Sequence, residues 1–545
     1  MAMNPSSPLP RRAGVLALLF AACPAMAQQQ SSTLQSPAQQ VERYYDQQQK
    51  VQAKKDEVDP LAPSEEAPKA SAPLLPEGQQ FTLTAVDFSP SALLPAAALD
   101  AVVQPYLGKS MDGAALARLL DEVNALYSAR NITTARAVLA NQTIQDGVLF
   151  IDLVEGRLGK LDIQGTRHVH DRYIRQRIAQ REGEVVDSDQ LRKDMVYLNQ
   201  TTDLQVRALL QPGAERGQTD ITLQVEEPDR HSFDVYLDNN GVDSTGRFRI
   251  GAQANVFGLL GIDDRFSGNI AHSQGGNDGA LSYSVPVNRW NGRLGLNASH
   301  SRINIINGAF QQLDITGKST VYGLEFNQPF VATRNWLASG ISAYSIGDSS
   351  TDISGQHIAD TRTRLLTLGG SLQRQSDRRR WGITQLYTRI NSSEPMLGES
   401  NFNTFPGNAF YLQRIGETKW AMRGALGWQY SSGDLVPSAN LFQIGGIGSV
   451  RGYERGVISG PRGYYASLEL HRIQNERLDI YGFFDHGSIS GFYPKSLGIS
   501  GLGVGALYRP RDWVTVSGDV AKPLDTVVPD QEGVRLDLRI AFHWR

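Results

Sequence analysis

The chain has 545 residues, a formal net charge of −3 and a mean hydropathy of −0.32. That length calls for several domains. The charge offers no basic bulk for nucleic acid. Beyond the N-terminus no run of ~18 apolar residues occurs, which excludes a helical membrane protein.

The N-terminus reads as an export signal over residues 1–27. Arg11 and Arg12 precede the short apolar run "AGVLALLFAA", and "PAMA" supplies a small-x-small cleavage site before Gln28. The single cysteine, Cys23, falls inside this segment, so cleavage after Ala27 leaves a chain without thiols, suited to an oxidising compartment. Residues 28–55 are polar and Gln-rich, with Pro37 the only helix breaker after Ser36. They read either as a tail or as a polar helix lodged in a polar cavity. Residues 56–80, rich in Pro, Ala and acid, read as a stiff linker.

Two small units with one pattern follow, over 81–157 and 158–228. In the first, "FTLTAVDF" is a strand, 96–108 and 112–131 are helical, and "TTARAVLAN" and "GVLFIDLVEG" are strands. Asn131 stands at the helix end, where a left-handed cap is expected. In the second, "GKLDIQG" is a strand, 171–181 and 187–199 are helices, and "LQVRALLQPG" and "TDITLQVEE" are strands. The β-α-α-β-β order occurs twice.

From His231 onward helical periodicity stops, and segments of about ten residues alternate apolar and polar. In "VRLDLRIAFHWR" (534–545) Val534, Leu536, Leu538, Ile540, Phe542 and Trp544 share one face, opposite Arg535, Asp537, Arg539, His543 and Arg545. Sixteen such strands are expected, near 231–239, 246–257, 264–272, 279–287, 292–302, 319–329, 336–346, 362–374, 381–390, 408–416, 418–431, 463–473, 477–487, 499–509, 512–522 and 534–544. An even number of long strands with charges filling one face fits an outer-membrane β-barrel over 229–545. A soluble all-β protein is the alternative.

The longest inter-strand segment, 432–462, contains "GGIGSVRGYERG". A phosphate loop is a poor reading: Arg451 stands where the third glycine of G-x-G-x-x-G belongs, no Lys-Ser/Thr follows, and no helix starts there. In a wide barrel with a polar lumen, a long loop can fold inward, and its glycines let the backbone turn tightly. An arginine at its tip then needs a carboxylate. Asp485 in "GFFDHG" is favoured and Glu469 is second. The bland alternative is a solvated loop with a surface arginine.

These residues carry a resemblance. "VRGY" (Val450, Arg451, Gly452, Tyr453) followed by an F-x-D motif (Phe483, Phe484, Asp485) resembles the outer-membrane superfamily of protein translocators and barrel-assembly insertases. With "NQTIQDGVLFIDLVEG" (141–156), the chain is more specifically similar to the two-partner secretion transporters (TpsB) of the haemolysin-activator and filamentous-haemagglutinin-transporter type. The resemblance implies a plug helix (28–55), two polypeptide-transport-associated (POTRA) domains in the periplasm and a sixteen-stranded barrel in the outer-membrane lipid. It also implies an inward loop whose Arg451 pairs with Asp485, and ATP-independent export of one large secreted (TpsA-type) exoprotein. Barrels of that superfamily usually end in an aromatic residue read by the barrel-assembly machinery. Here Phe542 and Trp544 precede a terminal Arg545. A barrel-assembly insertase is the functional alternative, and a passive porin would not need two periplasmic domains.

No enzyme motif appears. H-E-x-x-H and G-x-S-x-G are absent, the nine histidines are scattered, and no metal or cofactor set is read. His486 beside Asp485 suggests acid–base work, but neighbours on a strand point to opposite faces.

Overall fold

The computed structural model describes residues 61–63 and 80–545, except 131, 133, 140, 141, 216, 395–397, 435, 438, 439 and 492–495. The expected signal peptide, the plug helix, most of the linker and the Asn131 cap lie outside the described residues. What is described divides between Pro228 and Asp229 into two compact units.

The first unit opens with β1 (Leu61–Pro63) and then builds one small domain from β2 (Phe81–Thr82), β3 (Ala85–Phe88), α1 (Ala96–Val103), β4 (Ser110–Met111), α2 (Gly113–Ala129), β5 (Ala135–Leu139) and β6 (Val148–Glu155). Asp112 starts α2 by accepting the amide of Ala115 at 2.7 Å, the usual N-cap device. Leu116, Leu119, Leu120, Val123 and Tyr127 then fall at helical spacing and are buried against Leu149 and Ile151. β6 is central, parallel to β3 and antiparallel to β5. Glu155 closes the domain: it accepts from Ser91 Oγ, the amide of Ala92 and Tyr127 Oη. Burial first, and the neighbouring Glu155 charge second, push the Tyr127 hydroxyl well above its ordinary value, so it remains a donor.

A second domain repeats the order with β7 (Arg157–Gln164), α3 (Asp171–Arg175), α4 (Ser188–Thr201), β8 (Gln205–Pro212) and β9 (Gln218–Glu226). Two expectations change here. The helix read over 171–181 stops after Arg175, and the Ala179 amide goes to Asp194 Oδ2 on α4 at 2.6 Å. The linker is not wholly irregular, because β1 pairs in parallel with β8 through Leu61↔Ala208 to Pro63↔Leu210.

The second unit is a closed barrel. Its wall begins with β10 (His231–Asp238), β11 (Arg249–Phe257), β12 (Arg265–Ser273), β13 (Gly276–Pro286) and β14 (Arg293–Asn304). It continues with β15 (Ile315–Ala332), β16 (Trp336–Ile353), β17 (Gln356–Gln375), β18 (Arg379–Glu394), β19 (Gly398–Arg414) and β20 (Trp420–Ser431). A short hairpin, β21 (Phe442–Ile444) and β22 (Ile458–Gly460), interrupts the wall. β23 (Arg462–Asn475), β24 (Leu478–Ser490), β25 (Ser496–Arg511), β26 (Val514–Pro523) and β27 (Arg535–Trp544) complete it. All neighbours are antiparallel, and β27 closes on β10 from Phe233↔Trp544 to Asp238↔Arg539.

The alternation sets the faces. On β27, Leu536, Leu538 and Trp544 are exposed on the outside, while Arg535 and Asp537 are buried inside. Apolar side chains facing out and charges facing in is the arrangement of a barrel in lipid with a polar lumen. All sixteen expected windows correspond to wall strands, but β15 to β19 are longer than expected, at 16 to 20 residues. Their outer ends, such as "GDSSTDI" at 347–353, show no apolar alternation. Backbone pairing holds them instead.

Candidate functional site

Residues 432–461 leave the top of β20 and return to the top of β23. The β21–β22 hairpin pairs Phe442↔Gly460, Gln443↔Ser459 and Ile444↔Ile458, so the loop enters the barrel on a built stem. Beyond the stem the backbone must turn back. Gly445 does this at φ +121, a conformation that a side chain would strain. An apolar pad then seats the loop: Ile444, Val450, Tyr453 and Ile458 pack with Tyr465 of β23 and Ile499 of β25.

Val450 and Tyr453 are therefore anchors. Tyr453 is 2% exposed. Its hydroxyl donates toward the carbonyls of Ser500 (2.8 Å) and Asp525 (3.1 Å) and accepts the amide of Asp525 at 3.0 Å. Gly452 sits between Arg451 and Tyr453 at φ +93, and a Cβ there would lie 3.0 Å from the backbone nitrogen of Pro523 on β26. Both the turn and the close approach require glycine.

With these anchors the loop delivers Arg451 to the inner wall. Asp485 on β24 accepts from Nε at 2.7 Å, from Nη2 at 2.8 Å and from the Arg451 amide at 3.1 Å. Nη1 donates to Glu469 Oε1 on β23 at 2.7 Å, and Nη2 also donates to Ser467 Oγ at 3.0 Å. Ser467 Oγ donates in turn to Asp485 Oδ1 at 2.6 Å. Asp519 on β26 stands 3.7 Å from Nη1. The guanidinium carbon lies 3.4 Å over the Phe483 ring, a stack worth on the order of 2 kcal/mol when desolvated. Asp485 is wholly buried. Such a bidentate, stacked geometry is specific to arginine.

The structure thus brings Val450, Arg451, Gly452, Tyr453, Glu469, Phe483 and Asp485 together. Phe484 faces outward and is exposed. His486 also lies on the other face, near Tyr464 Oη (3.3 Å) and Ser500 Oγ (3.0 Å), and shares no site with Asp485. Phe542 and Trp544 lie on the outer face of the closing strand, Phe542 stacked on Trp513 and Trp544 tilted against Phe233. Among the described residues no group of three or more His, Cys, Asp or Glu is placed to hold a metal ion.

Sequence reasoning missed Ser467 and the glycines of β25. Gly501 and Gly503 point inward: a Cβ on Gly501 would lie 2.1 Å from the Arg451 carbonyl, and one on Gly503 would lie 2.6 Å from the Phe483 ring. The signal was present in "SGLGVGALY", where glycines alternate with the exposed Leu502 and Val504. A strand with glycine on one face marks a close approach.

A sixteen-stranded barrel, apolar outside and charged inside, with β-α-α-β-β domains before it, defines an outer-membrane protein with periplasmic POTRA domains. Comparison with known proteins narrows this. Residues 217–508 match the family model of the haemolysin secretion/activation protein ShlB/FhaC/HecB, and residues 81–156 match the POTRA domain, ShlB-type. The heme/hemopexin transporter protein HuxB of Haemophilus influenzae (strain 86-028NP) is 22% identical over 470 residues, spanning 79% of this chain and 81% of that protein. The outer membrane transporter CdiB of Dickeya dadantii (strain 3937) is 25% identical over 418 residues, spanning 72% and 73%. The solved structure of CdiB from Escherichia coli shares the fold with a TM-score of 0.68 at 19% identity, covering 96% of this chain and 98% of that one. The chain belongs to the ShlB/FhaC/HecB family. It is an outer-membrane transporter of the two-partner secretion type, acting on a secreted partner exoprotein, and the assembly-insertase alternative is not favoured.

Proposed function

We propose that the barrel exports one large partner while the 432–461 loop, locked by Arg451, occupies a defined place in the lumen. The observation that carries this reading is the full set of partners on the Arg451 guanidinium: Asp485, Glu469 and Ser467 by hydrogen bonds, Phe483 by stacking. An interaction this specific, far inside a wide barrel, positions a segment and performs no bond chemistry. The chain is in this reading not an enzyme and uses no cofactor. Breaking the pair impairs export more than barrel assembly.

The partner reaches the pore unfolded, with unpaired backbone groups. The POTRA domains offer sheet edges and helix-lined grooves that suit an extended segment by β-augmentation. Folding outside the cell then draws the chain forward without ATP. Two further assignments belong to the same reading: the barrel-assembly machinery inserts the chain through Phe542 and Trp544 on β27, and the outer apolar face contacts lipid directly.

The test compares the culture medium of the source bacterium with and without this gene. One large protein missing from the medium supports export. Many depleted outer-membrane barrels with an unchanged medium would support the insertase instead.

A further inference from the structure

Glu469 is held from two sides. Its Oε1 accepts from Arg451 Nη1 at 2.7 Å, and its Oε2 faces His471 Nε2 at 2.8 Å. The other ring nitrogen, Nδ1, faces Asp479 Oδ2 on β24 at 2.9 Å. His471 is 1% exposed and stacks on Tyr481, with ring centroids 4.6 Å apart. Carboxylate oxygens only accept, so an imidazole between two of them holds both contacts only when each nitrogen carries a hydrogen. Both ring nitrogens are thus placed to donate. Asp479 Oδ1 is buried and has no hydrogen-bond partner among the described residues, so the His471 contact is the one described hold on that carboxylate.

The charges around the ring point the same way. β23 contributes Glu469, and β24 contributes Asp479 and the Tyr481 hydroxyl, which donates to Asp519 of β26 at 2.9 Å. β20 contributes Arg423, 3.9 Å from Glu469 Oε2, and the loop contributes Arg451. Four carboxylates (Glu469, Asp479, Asp485, Asp519) thus face Arg451, Arg423 and His471. Among the described residues, with a neutral ring, Arg451 and Arg423 face these four carboxylates, and one ring nitrogen turns a lone pair toward a carboxylate. β23 descends from the outer rim, so Arg451, Glu469, His471 and Asp479 form a ladder from the loop toward the periplasmic mouth.

We propose that His471 is a positioning residue: its positive charge fixes Glu469 against Arg451, and removing that charge loosens the inward loop. The proposal rests on the reading of the loop as a locked segment, and its test requires no exported partner.

A reporter cysteine replaces Ile458, which is buried on the loop stem, and its labelling by a membrane-impermeant maleimide is followed in outer membranes at neutral pH. The chain without this reporter gives the background. His471→Lys keeps a cation with several donors, whereas His471→Gln and His471→Asn are neutral. The expected result is labelling roughly tenfold or more faster in the neutral variants, the scale of a lost charged hydrogen bond, with His471→Lys within about twofold of the parent. Equal labelling in the Lys and neutral variants, fast or slow, would overturn the proposal, because shape or nothing would then be responsible rather than charge. Each variant is scored only as heat-modifiable barrel, and His471→Asn serves where His471→Gln fails to assemble. Secretion is not read, so failure here leaves the export reading standing.

Discussion

Arg451 and Asp485, 34 residues apart in the chain, share three hydrogen bonds: two from the guanidinium and one from the Arg451 backbone amide. The amide contact means that the carboxylate fixes the course of the loop backbone as well as its side chain. Removing either partner therefore leaves a buried charge and also frees the loop. Breaking a buried pair costs about 3–5 kcal/mol.

Arg451→Lys tests the geometry. An ammonium keeps the charge but loses the fork and the stack over Phe483. The loop should be released nearly as far as in Arg451→Ala. The check is protease cleavage within 445–457 in intact outer membranes, with barrel abundance unchanged. Lysine protection equal to that of arginine would show that charge alone holds the loop.

Gly501→Ala tests the close approach. The new Cβ would meet the Arg451 carbonyl at 2.1 Å, too short for adjustment of a flexible side chain to relieve. The substitution should displace the loop without touching any charged group, giving the cleavage pattern of Arg451→Ala. Gly533→Ala, with open space around its Cβ, is the control and should leave the pattern unchanged.

Tyr453→Phe removes a hydroxyl with three backbone contacts but retains the ring in the apolar pad. Leaving those groups without this partner costs about 1–3 kcal/mol. The effect on loop release should be smaller than that of Arg451→Ala. Hydrogen exchange at Asp525, whose amide loses its acceptor, should accelerate most.

In the first POTRA domain, Glu155→Ala removes the acceptor shared by Ser91, Ala92, Leu93 and Tyr127. Four donors then lose this acceptor, of which, among the described residues, only the Leu93 amide keeps another, Ser91 Oγ, and local stability should fall by about 2–3 kcal/mol. Hydrogen exchange over 89–94 and 123–129 should rise, with no change in the barrel. Unchanged exchange over those segments would contradict the role given to Glu155.

Much of this was legible in the sequence, for identifiable reasons. Strict alternation over 534–544 revealed both the strand and its faces, because lipid outside and charge inside leave no ambiguity of side. The outer halves of β15 to β19 stayed hidden. Stretches such as "GDSSTDI" are strands through backbone pairing with their neighbours, and side-chain pattern carries no trace of it. At the loop, parity put Asp485 and Glu469 on one inner face, and the aromatic and glycine neighbours of Asp485 favoured it over Glu469 as the partner. Arg451 contacts both, because a guanidinium has five donors and the register sets Ser467 opposite Asp485 and Glu469 opposite Phe483. That register is a long-range property, which composition and spacing do not contain. Gly501 and Gly503 were hidden for a different reason: alternate glycines within a strand mark a close approach without saying which segment approaches.

In the proposed reading the Arg451 lock serves export rather than barrel formation. The most direct test measures, in one strain, the partner in the medium and the heat-modifiable barrel in the outer membrane, for wild type and Arg451→Ala. The expected result is a barrel at wild-type abundance with the partner in the medium reduced by about tenfold or more, the minimum for a buried charged contact of this kind. Unchanged secretion from Arg451→Ala, with the barrel equally abundant, would contradict it.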